Sequence, residues 1–538
     1  MLKAQVFGIA LAILQSAKAW QIPAEYALTP SSNGRFLQQA NGDPFFWQAD
    51  TAWLLFHRLN YSEADAFLSD RSEKGFNMVL AVAFTQAGID NPNRNGDLPF
   101  IDEDVTDPNE PYWEHVDSVV KLAWTKGIRI CMVSSWGKFV HDSDNNGDVL
   151  NSTTAHPFGK FLGQRYPYLP KTLVGDTNPY WQNKTAVKAD YAYGGVLPPY
   201  EVTDWSPVYD DLANGIVAGE RQAIKASSGH KSNTTWWPLM TIHPTNQWFT
   251  GGPLALAHDF FGDREWLTLD ASQSGHADYP PNPPIPWWNC RRGWEPVEIM
   301  YAAGSKDGNK IRPVIDNEPH YENRYNNGKD TNAVWNASDV RVGSWQAVST
   351  PLLPLGVPLI AGIEICLLEQ VFSGAAGLTY GANAIQQCII PGLFDSDGSG
   401  PSDDWSTDLE LPGSGQMQFI QKAVLDRGNG TAYFHRVPAQ DIIVGDAGVN
   451  DARVTATRDR GGNWIMVYTP TGEPFQIDTQ SVKSCSVRAS WYSPLSGRYT
   501  RFDYTQCGDS AGSAESRTFT PPAGDGHSDW ALVLEVVN

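Results

Sequence analysis

Short apolar runs recur along the chain from about residue 30 to residue 430, and longer segments with helical spacing lie between them. Hydrophobicity that continues through a run, instead of alternating, indicates a strand buried on both faces, as in a parallel sheet. Eight strand–helix units in this order predict an α/β TIM barrel, (β/α)8, with long loops. The predicted strands are 45–50, 78–84, 129–135, 171–176, 238–243, 267–274, 312–318 and 375–380, and the clearest predicted helices are 62–74, 112–126, 205–227, 296–303 and 337–349.

The pattern changes after about residue 430, where the helical spacing disappears. Short strands with alternating apolar and polar residues (454–458, 463–468, 486–492 and 531–536) are separated by turn sequences such as Gly461-Gly462. Alternation over short strands with regular turns is typical of an all-β sandwich. We therefore predict a barrel domain over residues 20–430 and a β-sandwich domain over residues 431–538.

The first nineteen residues have the form of a secretory signal peptide. Lys3 precedes the apolar run 6–14, and Ala17-Lys18-Ala19 has the small-x-small pattern of a cleavage site. Neither this run nor any later one is long enough to span a bilayer. We expect a secreted, extracellular protein. Asn-x-Ser/Thr sequons that predict surface glycans on the same route occur at Asn60, Asn151, Asn183, Asn233, Asn336 and Asn429.

The six cysteines are compatible with disulfides in that compartment. We predict a Cys485–Cys507 pair, because both residues lie in the β-rich C-terminal stretch, and a second pair between Cys366 and Cys388. Cys131 lies in a buried-strand pattern and is either disulfide-bonded or a free core thiol. The sequence contains no Cys-x-x-Cys and no His-Glu-x-x-His, so zinc sites of those types are not supported.

The formal net charge of −21 restricts the class of partner. A strongly acidic surface repels DNA and RNA, so a nucleic-acid ligand is excluded and a neutral or weakly charged substrate fits better. We expect an oligo- or polysaccharide substrate, no membrane partner and a monomeric chain.

Two of the predicted strands end in a carboxylate. The strand 171–176 ends in Asp176, and the strand 312–318 ends in Glu318, which Pro319 follows. Active sites of TIM barrels lie at the C-terminal ends of the strands, and two carboxylates are the minimum equipment for cleaving a glycosidic bond. In a retaining scheme Glu318 is the nucleophile and Asp176 the acid/base. The structural alternative is that Asp176 caps the next segment and that Glu318 pairs with Arg312 or Arg324.

Other polar residues at strand ends are candidates for substrate binding, each with a structural alternative. Asp50 either contacts a substrate hydroxyl or caps the first helix. His243 either holds a hydroxyl, or tunes a carboxylate, or is a core histidine satisfied by backbone groups. Gln273 and His276 flank a glycine turn that is either functional or purely structural. Trp136 and Tyr380 also lie at strand ends.

Three loops carry further expectations. Asp142, Asp144, Asn146 and Asp148 in one loop, and Asp395 and Asp397 in another, resemble partial calcium loops without the closing glutamate, and solvated turns are the alternative reading. Otherwise no cofactor and no catalytic metal are expected. The Pro- and Trp-rich stretch 279–288 is either a cover on the barrel or a platform for a sugar.

Several segments together resemble the apiosidase-like glycoside hydrolases. They include Asn33-Gly34-Arg35-Phe36-Leu37, Asn41-Gly42-Asp43-Pro44-Phe45-Phe46, Asp50-Thr51-Ala52-Trp53, Gly75-Phe76-Asn77, Gly175-Asp176, His243-Pro244, Gln273-Ser274-Gly275-His276, Glu318-Pro319-His320-Tyr321-Glu322 and Gly377-Leu378-Thr379-Tyr380-Gly381. The C-terminal Trp491-Tyr492-Ser493-Pro494-Leu495-Ser496-Gly497 is similar to the collagen-binding-like module usually paired with that barrel.

The resemblance implies a TIM barrel in which Asp176 is the acid/base and Glu318 the nucleophile, with Tyr321 among the substrate-binding residues. The chain departs from the family at two positions. Val174 stands where the family often has a second glycine, and Asn317 stands where glycine often precedes the glutamate. Both add a side chain beside a catalytic acid, so we expect a different pocket for the glycone sugar.

Two functions are therefore compared. The first is a secreted glycosidase, retaining, that acts on plant cell-wall or related polysaccharide. The second is a non-catalytic carbohydrate- or matrix-binding protein with a degenerate barrel. Carboxylates that face each other favour the first function, and carboxylates engaged by arginines favour the second.

Overall fold

The chain folds as a barrel followed by a β-sandwich. The computed structural model describes residues 21–84, 88–140, 149–182, 202–228, 237–245, 256–276, 294–304, 310–349, 374–506, 516–523 and 528–537. The predicted loops 142–148 and 279–288 lie outside these ranges. Within the part of the chain that is described, no helix combines the length and apolar character needed to cross a membrane.

Eight parallel strands form the barrel. Six of them lie in one sheet in the order β5-β4-β3-β2-β1-β8, and β6 and β7 pair separately. Backbone hydrogen bonds join the two groups, from Leu269 N to Met240 O at one seam and from Ala376 N to Val314 O at the other. The ring is therefore closed, which confirms the predicted fold. The strands are β1 Trp47–Thr51, β2 Met78–Val82, β3 Arg129–Val133, β4 Lys171–Thr172, β5 Met240–Thr241, β6 Asp270–Ser272, β7 Val314–Asp316 and β8 Gly377–Tyr380.

One helix follows each strand and covers the outside of the barrel. The helices are α1 Tyr61–Glu73, α2 Glu110–Thr125, α3 Ala155–Arg165, α4 Ser206–Ser228, α5 Ala257–Phe261, α6 Trp294–Ala303, α7 Ala337–Ser349 and α8 Pro412–Leu425. Short α-helical turns are Leu55–Arg58, Asn383–Gln386 and Trp405–Asp408, and 3-10 turns are Ala24–Tyr26, Ile101–Glu103, Gly137–Phe139, Asn326–Gly328, Gly428–His435, Gln440–Ile442 and Asn450–Ala452.

Local sequence explains where the helices begin and how closely they pack. Asn60 and Glu63 form a reciprocal capping box at the start of α1. Glycines let α3 and α4 approach closely: a Cβ at Gly163 would lie 2.2 Å from the carbonyl oxygen of Ile216, and a Cβ at Gly219 would lie 2.2 Å from that of Lys160. Any larger residue at these positions would push the two helices apart.

The barrel strands have apolar side chains on their inner face, and on their outer face they carry both apolar and polar side chains that pack against the helices. Side chains such as Trp47, Ala49, Leu80 and Ile315 fill the inside of the barrel. A buried unpaired charge is strongly unfavourable, and one buried lysine of the barrel strands has a buried acidic partner. Lys171 of β4 bonds to Glu220 of α4, and both side chains are fully buried.

The C-terminal domain consists of two antiparallel sheets that enclose a separate core. The larger sheet has the order β9-β11-β12-β17-β14-β15, and the smaller has β10-β13-β16. Ile465, Val467, Ile477, Trp491 and Leu532 lie in the core between them. The strands are β9 Arg436–Pro438, β10 Ile443–Val444, β11 Thr455–Asp459, β12 Trp464–Thr469, β13 Phe475–Asp478, β14 Val487–Tyr492, β15 Tyr499–Phe502, β16 Ser516–Phe519 and β17 Trp530–Val536.

The sandwich packs on α7 and α8 of the barrel. Arg341 of α7 donates from Nε and Nη2 to the two carboxylate oxygens of Asp529, at 2.7 and 2.9 Å. The ring of Trp345 stacks on that of Tyr468, with centroids 5.2 Å apart and planes 10° apart. A bidentate buried ion pair and an aromatic stack fix the orientation of one domain on the other.

Smaller elements complete the fold. An antiparallel sheet of Leu28–Pro30, Leu37–Gln39 and Pro44–Phe45 precedes β1, and Tyr180–Gln182 pairs with Val202–Asp204 after β4. Cys131 and Cys388 are buried free thiols, so the predicted Cys366–Cys388 pair is wrong and Cys131 is a core thiol. Cys485 is disulfide-bonded. Cys366 and Cys507, the predicted partners of Cys388 and Cys485, lie outside the described residues.

Candidate active site

Close backbone packing fixes the position of Asp176 at the end of β4. Its backbone has φ of +37°, in the left-handed region that non-glycine residues rarely adopt. A Cβ at Gly137 would lie 2.4 Å from the carbonyl oxygen of Asp176, and a Cβ at Gly175 would lie 2.4 Å from the ring of Trp136. Both glycines are therefore needed for this approach, and the strained residue is held by its neighbours.

Glu318 follows β7 and is held by two histidines. His243 Nε2 lies 2.8 Å from Glu318 Oε2, and His276 Nε2 lies 2.6 Å from Oε1. An ionised carboxylate only accepts hydrogen bonds, so each imidazole donates from Nε2. Burial alone would raise the pKa of Glu318, but the two histidine hydrogen bonds outweigh it and hold the pKa well below its usual value. Glu318 is thus poised as an ionised carboxylate.

His243 lies between the two carboxylates. Its Nε2 atom is 3.7 Å from Asp176 Oδ1 as well as 2.8 Å from Glu318. The ring is fully buried and packs edge-on against Trp53, with centroids 5.2 Å apart. Burial lowers the pKa of His243, but the hydrogen bond to Glu318 and the two negative charges outweigh it, so that the pKa is raised.

Asp176 has a different environment. Gln273 Nε2 donates to its Oδ1 atom at 3.1 Å. Burial and the charge of Glu318 raise the pKa of Asp176 to about 6, against the opposing effects of His243 and Gln273. Its side chain is only partly buried, with 38% exposed, so solvent still reaches the carboxyl group. The nearby charge of Glu318 is what distinguishes Asp176 from an ordinary surface aspartate. The pKa values of the two carboxyl groups are therefore shifted in opposite directions, which is the usual sign of separate acid and base roles.

The two carboxylates are close together. One oxygen of Asp176, one oxygen of Glu318 and one nitrogen of His243 lie within 4.8 Å of one another. Two carboxylates and an imidazole are also ligands that a divalent metal accepts. The expectation that this site works without a metal stays a prediction.

A second group of residues supports the histidines. Ser274 Oγ donates to Asp316 at 2.6 Å, and His320 Nδ1 lies 2.6 Å from the carbonyl oxygen of Gly275. These contacts fix the turn that carries Gln273 and His276. The ring of Tyr321 packs against that of His276, with centroids 4.3 Å apart.

The structure brings some predicted residues together and places others elsewhere. Trp136, His243, Gln273, His276 and Tyr321 surround the carboxylate pair through the contacts just given. Asp50 instead bonds at 2.5 Å to Arg71 of α1, and both side chains are fully buried. Asp50 therefore faces the helix layer and not the carboxylates. Tyr380 also lies apart, because its hydroxyl donates to Glu322 at 2.6 Å.

The arginines considered as partners of Glu318 are engaged by other groups. Arg324 Nη1 donates to Asn383 Oδ1 at 3.1 Å and to Ser399 Oγ at 2.6 Å. Arg312 donates to the carbonyl oxygens of Leu267 and Gly262. The alternative in which Glu318 is neutralised by one of them does not match the contacts found.

The acidic loop at Asp395 and Asp397 is organised by its own hydrogen bonds. Asp395 accepts from Gly392 N, and Asp397 accepts from Ser399 N and from Gln387 Nε2. This is the pattern of a hydrogen-bonded turn. Calcium binding at this loop stays a prediction, and the loop 142–148 lies outside the described residues.

Two supporting residues were not singled out from the sequence. Trp53 packs on both His243 and Trp136, with ring centroids 5.2 and 5.6 Å away. Asp316 is buried, and burial raises its pKa to about 6 despite the hydrogen bonds from Ser274. Asp316 lies two residues before Glu318, so the sequence alone indicates that it is near the site. Its hydrogen bond with Ser274 joins distant parts of the chain and could not be predicted from the sequence.

The chain was compared with models of known protein families. The family model described as "Apiosidase-like, catalytic domain" matches residues 31–351 and 367–428. The chain belongs to the apiosidase-like family. This confirms the resemblance found in the sequence, and the chain is a glycoside hydrolase. A second model, described as "Putative collagen-binding domain of a collagenase", matches residues 437–535.

Solved structures agree with this assignment. The apiosidase-like chain is 28% identical to a family 5 glycoside hydrolase from Bacteroides vulgatus, with a TM-score of 0.71, covering 96% of this chain and 94% of that one. A structure described as a glycoside hydrolase is 25% identical, with a TM-score of 0.69 and coverage of 96% and 98%. No curated protein matches the chain.

Proposed function

We propose that this apiosidase-like enzyme is a secreted, retaining glycosidase that acts on plant cell-wall or related polysaccharide. The observation that carries the proposal is the approach of Asp176 and Glu318 to within 4.8 Å. Retaining glycosidases keep their carboxyl groups about 5–5.5 Å apart, and inverting ones need about 6.5–9.5 Å for an intervening water. The short separation favours retention.

The proposed mechanism has two displacements. Glu318 attacks the anomeric carbon while Asp176 donates its proton to the leaving oxygen, so the C–O bond to the leaving group breaks and a glycosyl ester forms. Asp176, now ionised, then takes a proton from water. That water attacks the anomeric carbon and releases Glu318 as a carboxylate. The opposite pKa shifts of the two groups match these roles.

A non-catalytic binding protein with a degenerate barrel is the second candidate. It would require the carboxylates to be neutralised or held apart. The contacts of Glu318 argue against this, because two histidines keep it ionised while Asp176 stays partly exposed. The plant cell-wall substrate and the secretory route rest on the family and on the N-terminal sequence, and the acceptor asparagines for glycans rest on the sequons alone.

A release assay tests the proposal. The wild-type protein and the Glu318→Gln variant would be incubated with a panel of cell-wall polysaccharides that includes apiose-bearing pectin, and the released sugars identified. We expect one product that disappears with Glu318→Gln. Proton NMR of the first-formed anomer would show the same configuration as the substrate. An inverted anomer would reject retention, and equal release by the variant would remove Glu318 from the mechanism.

Asp176→Asn is the companion variant for the acid/base. With a poor leaving group its turnover should fall by about 10²- to 10⁴-fold, the usual contribution of a general acid. With an activated leaving group the first step needs no proton, and added azide should restore turnover by attacking the glycosyl ester. The same loss with both substrates and no azide rescue would contradict the acid/base role.

A further inference from the structure

A cavity of about 270 Å³ lies where the end of the barrel meets the larger sheet of the sandwich. Asp426 and Arg427, directly after α8, line it from the barrel side. Arg488, Tyr499 and Arg501, on β14 and β15, line it from the sandwich side. Its volume is close to the lower end of the range for small-ligand pockets. The cavity is separate from the carboxylate pair, and both domains are needed to form it.

Arg427 lines the cavity and is only 2% exposed. Its guanidinium lies over the ring of Trp464, 5.6 Å from the centroid. Its Nε and Nη1 atoms are shielded from solvent and have no acceptor among the described residues, and its guanidinium interacts with the hydroxyl of Tyr499. Arg427 therefore contributes its positive charge from behind the cavity wall. The exposed arginine of the cavity is Arg501, and an accessible guanidinium prefers a carboxylate because it can donate two parallel hydrogen bonds to it.

The acidic residues of the cavity are already engaged. Asp426 accepts from Lys422 Nζ at 2.6 Å, and Glu535 pairs with Arg488. Arg501 is exposed, and the structure gives it no acidic partner among the described residues. Arg427 and Arg501 thus leave an excess of positive charge at this cavity, in a chain whose net charge is −21. Such a local excess attracts an anion.

An aromatic face accompanies the two arginines. The Tyr499 side chain is 39% exposed and packs against Tyr492, with ring centroids 4.7 Å apart. A partly exposed tyrosine ring beside an arginine guanidinium suits a ligand that has both an apolar face and a carboxylate. We propose that this cavity is a non-catalytic binding site for a uronate residue of an acidic glycan, with Arg501 on its carboxylate, the positive charge of Arg427 behind the cavity wall, and Tyr499 on the sugar ring.

A glycan is preferred over an acidic peptide because the attached barrel is a glycoside hydrolase. The site would hold an acidic region of the polymer while the barrel acts on another part of it. Binding at the cavity does not depend on turnover at Glu318, so the two proposals can fail separately.

Isothermal titration calorimetry of the full chain carrying Glu318→Gln tests the site without turnover. The probe is trigalacturonate, and the matched neutral probe is the same trisaccharide with its carboxylates methyl-esterified. We expect the free acid to bind at least about 10-fold more tightly than the ester, since the charge-assisted hydrogen bonds are lost. Binding of the free acid should weaken as salt is raised.

Variants locate the binding. Arg501→Ala, at an exposed position, should weaken trigalacturonate about 10-fold, and Arg427→Gln should do so if its melting temperature matches the parent. Arg498→Ala is the control, because Arg498 is exposed on the same hairpin but does not line the cavity. Equal binding of acid and ester, or unchanged affinity with Arg501→Ala, would overturn the proposal. Tighter binding of an oligoglutamate peptide would overturn the assignment to a glycan.

Discussion

His243 Nε2 lies 2.8 Å from Glu318 Oε2 and 3.7 Å from Asp176 Oδ1, so one imidazole separates the two acids of the site. The imidazole donates to Glu318 and keeps it ionised. Glu318 in turn, together with burial, raises the pKa of Asp176. A single hydrogen-bonded group thus helps to assign different protonation states to two neighbouring carboxyl groups.

The acidic limit of activity depends on the histidines that bond to Glu318. His276→Ala removes a donor that lies 2.6 Å from Oε1, so the pKa of Glu318 should rise toward its ordinary value. Glu318 would then be protonated at mildly acidic pH, and the acidic limb of the kcat/KM profile should move to higher pH. His276→Gln, whose amide can still donate from a similar position, should shift it less. Identical acidic limbs in all three proteins would contradict this role for His276.

The basic limit of activity depends on Asp176. A general acid with a pKa of about 6 is protonated below that pH and ionised above it, so kcat/KM should fall as the pH rises through about 6. Removing the charge of Glu318 removes one cause of the raised pKa. In Glu318→Gln the pKa of Asp176 should therefore fall, which carbon-13 NMR titration of labelled aspartate carboxyls would measure. An unchanged or higher value would show that Glu318 does not raise it.

Much of the barrel could be predicted because its signals are local. Each of the eight strands is a short apolar run, and the rule that barrel sites lie at the C-terminal ends of strands was enough to select Asp176 and Glu318. The bond between His243 and Glu318 joins residues 75 positions apart, and no periodic pattern indicates such a contact. This contact forms because the closed barrel brings the C-terminal ends of β5 and β7 to the same rim.

Strand boundaries and side-chain directions were harder to predict. The predicted strand 171–176 is regular only over Lys171–Thr172. Beyond it the chain bonds alternately to both neighbours, from Leu173 N to Thr241 O and from Gly175 N to Ser135 O. Asp50 also lies near a strand end, but its direction is set by alternation along β1. Ala49 points into the barrel, so Asp50 points to the helices.

Asn317 should influence which sugar is accepted. It directly precedes Glu318, is 1% exposed, and has no hydrogen-bond partner for Oδ1 or Nδ2 among the described residues. It comes directly after the end of β7, beside the proposed nucleophile. Both amide atoms are shielded from solvent, so Asn317 would act through the position of Glu318 and the shape of the pocket wall. We expect Asn317→Gly to lower kcat/KM for the preferred substrate by roughly 3- to 10-fold, or about 1 kcal/mol of transition-state stabilisation.

The melting temperature separates this role from a structural one. Removing a buried amide that has no partner should leave stability unchanged or slightly higher, apart from the small entropic effect of glycine. A preference among substrates that changes without a lower melting temperature supports a role in specificity. A lower melting temperature with unchanged relative kcat/KM values would show that Asn317 only packs.

Asp50 should matter for stability and not for substrate affinity. Its partner Arg71 is fully buried, so Asp50→Asn would leave a buried positive charge with only Asp70 to compensate it. Breaking a buried ion pair costs about 3–5 kcal/mol in the free energy of unfolding. Denaturant unfolding should show a loss of that size, while KM, measured where the variant is still folded, should not change. Asp70→Asn is the matched control: Asp70 contacts the same guanidinium but is 22% exposed, and Asp50 would still compensate the charge of Arg71, so we expect a smaller loss of stability than for Asp50→Asn. A normal unfolding curve with a raised KM for Asp50→Asn would instead place this carboxylate among the groups that contact the substrate.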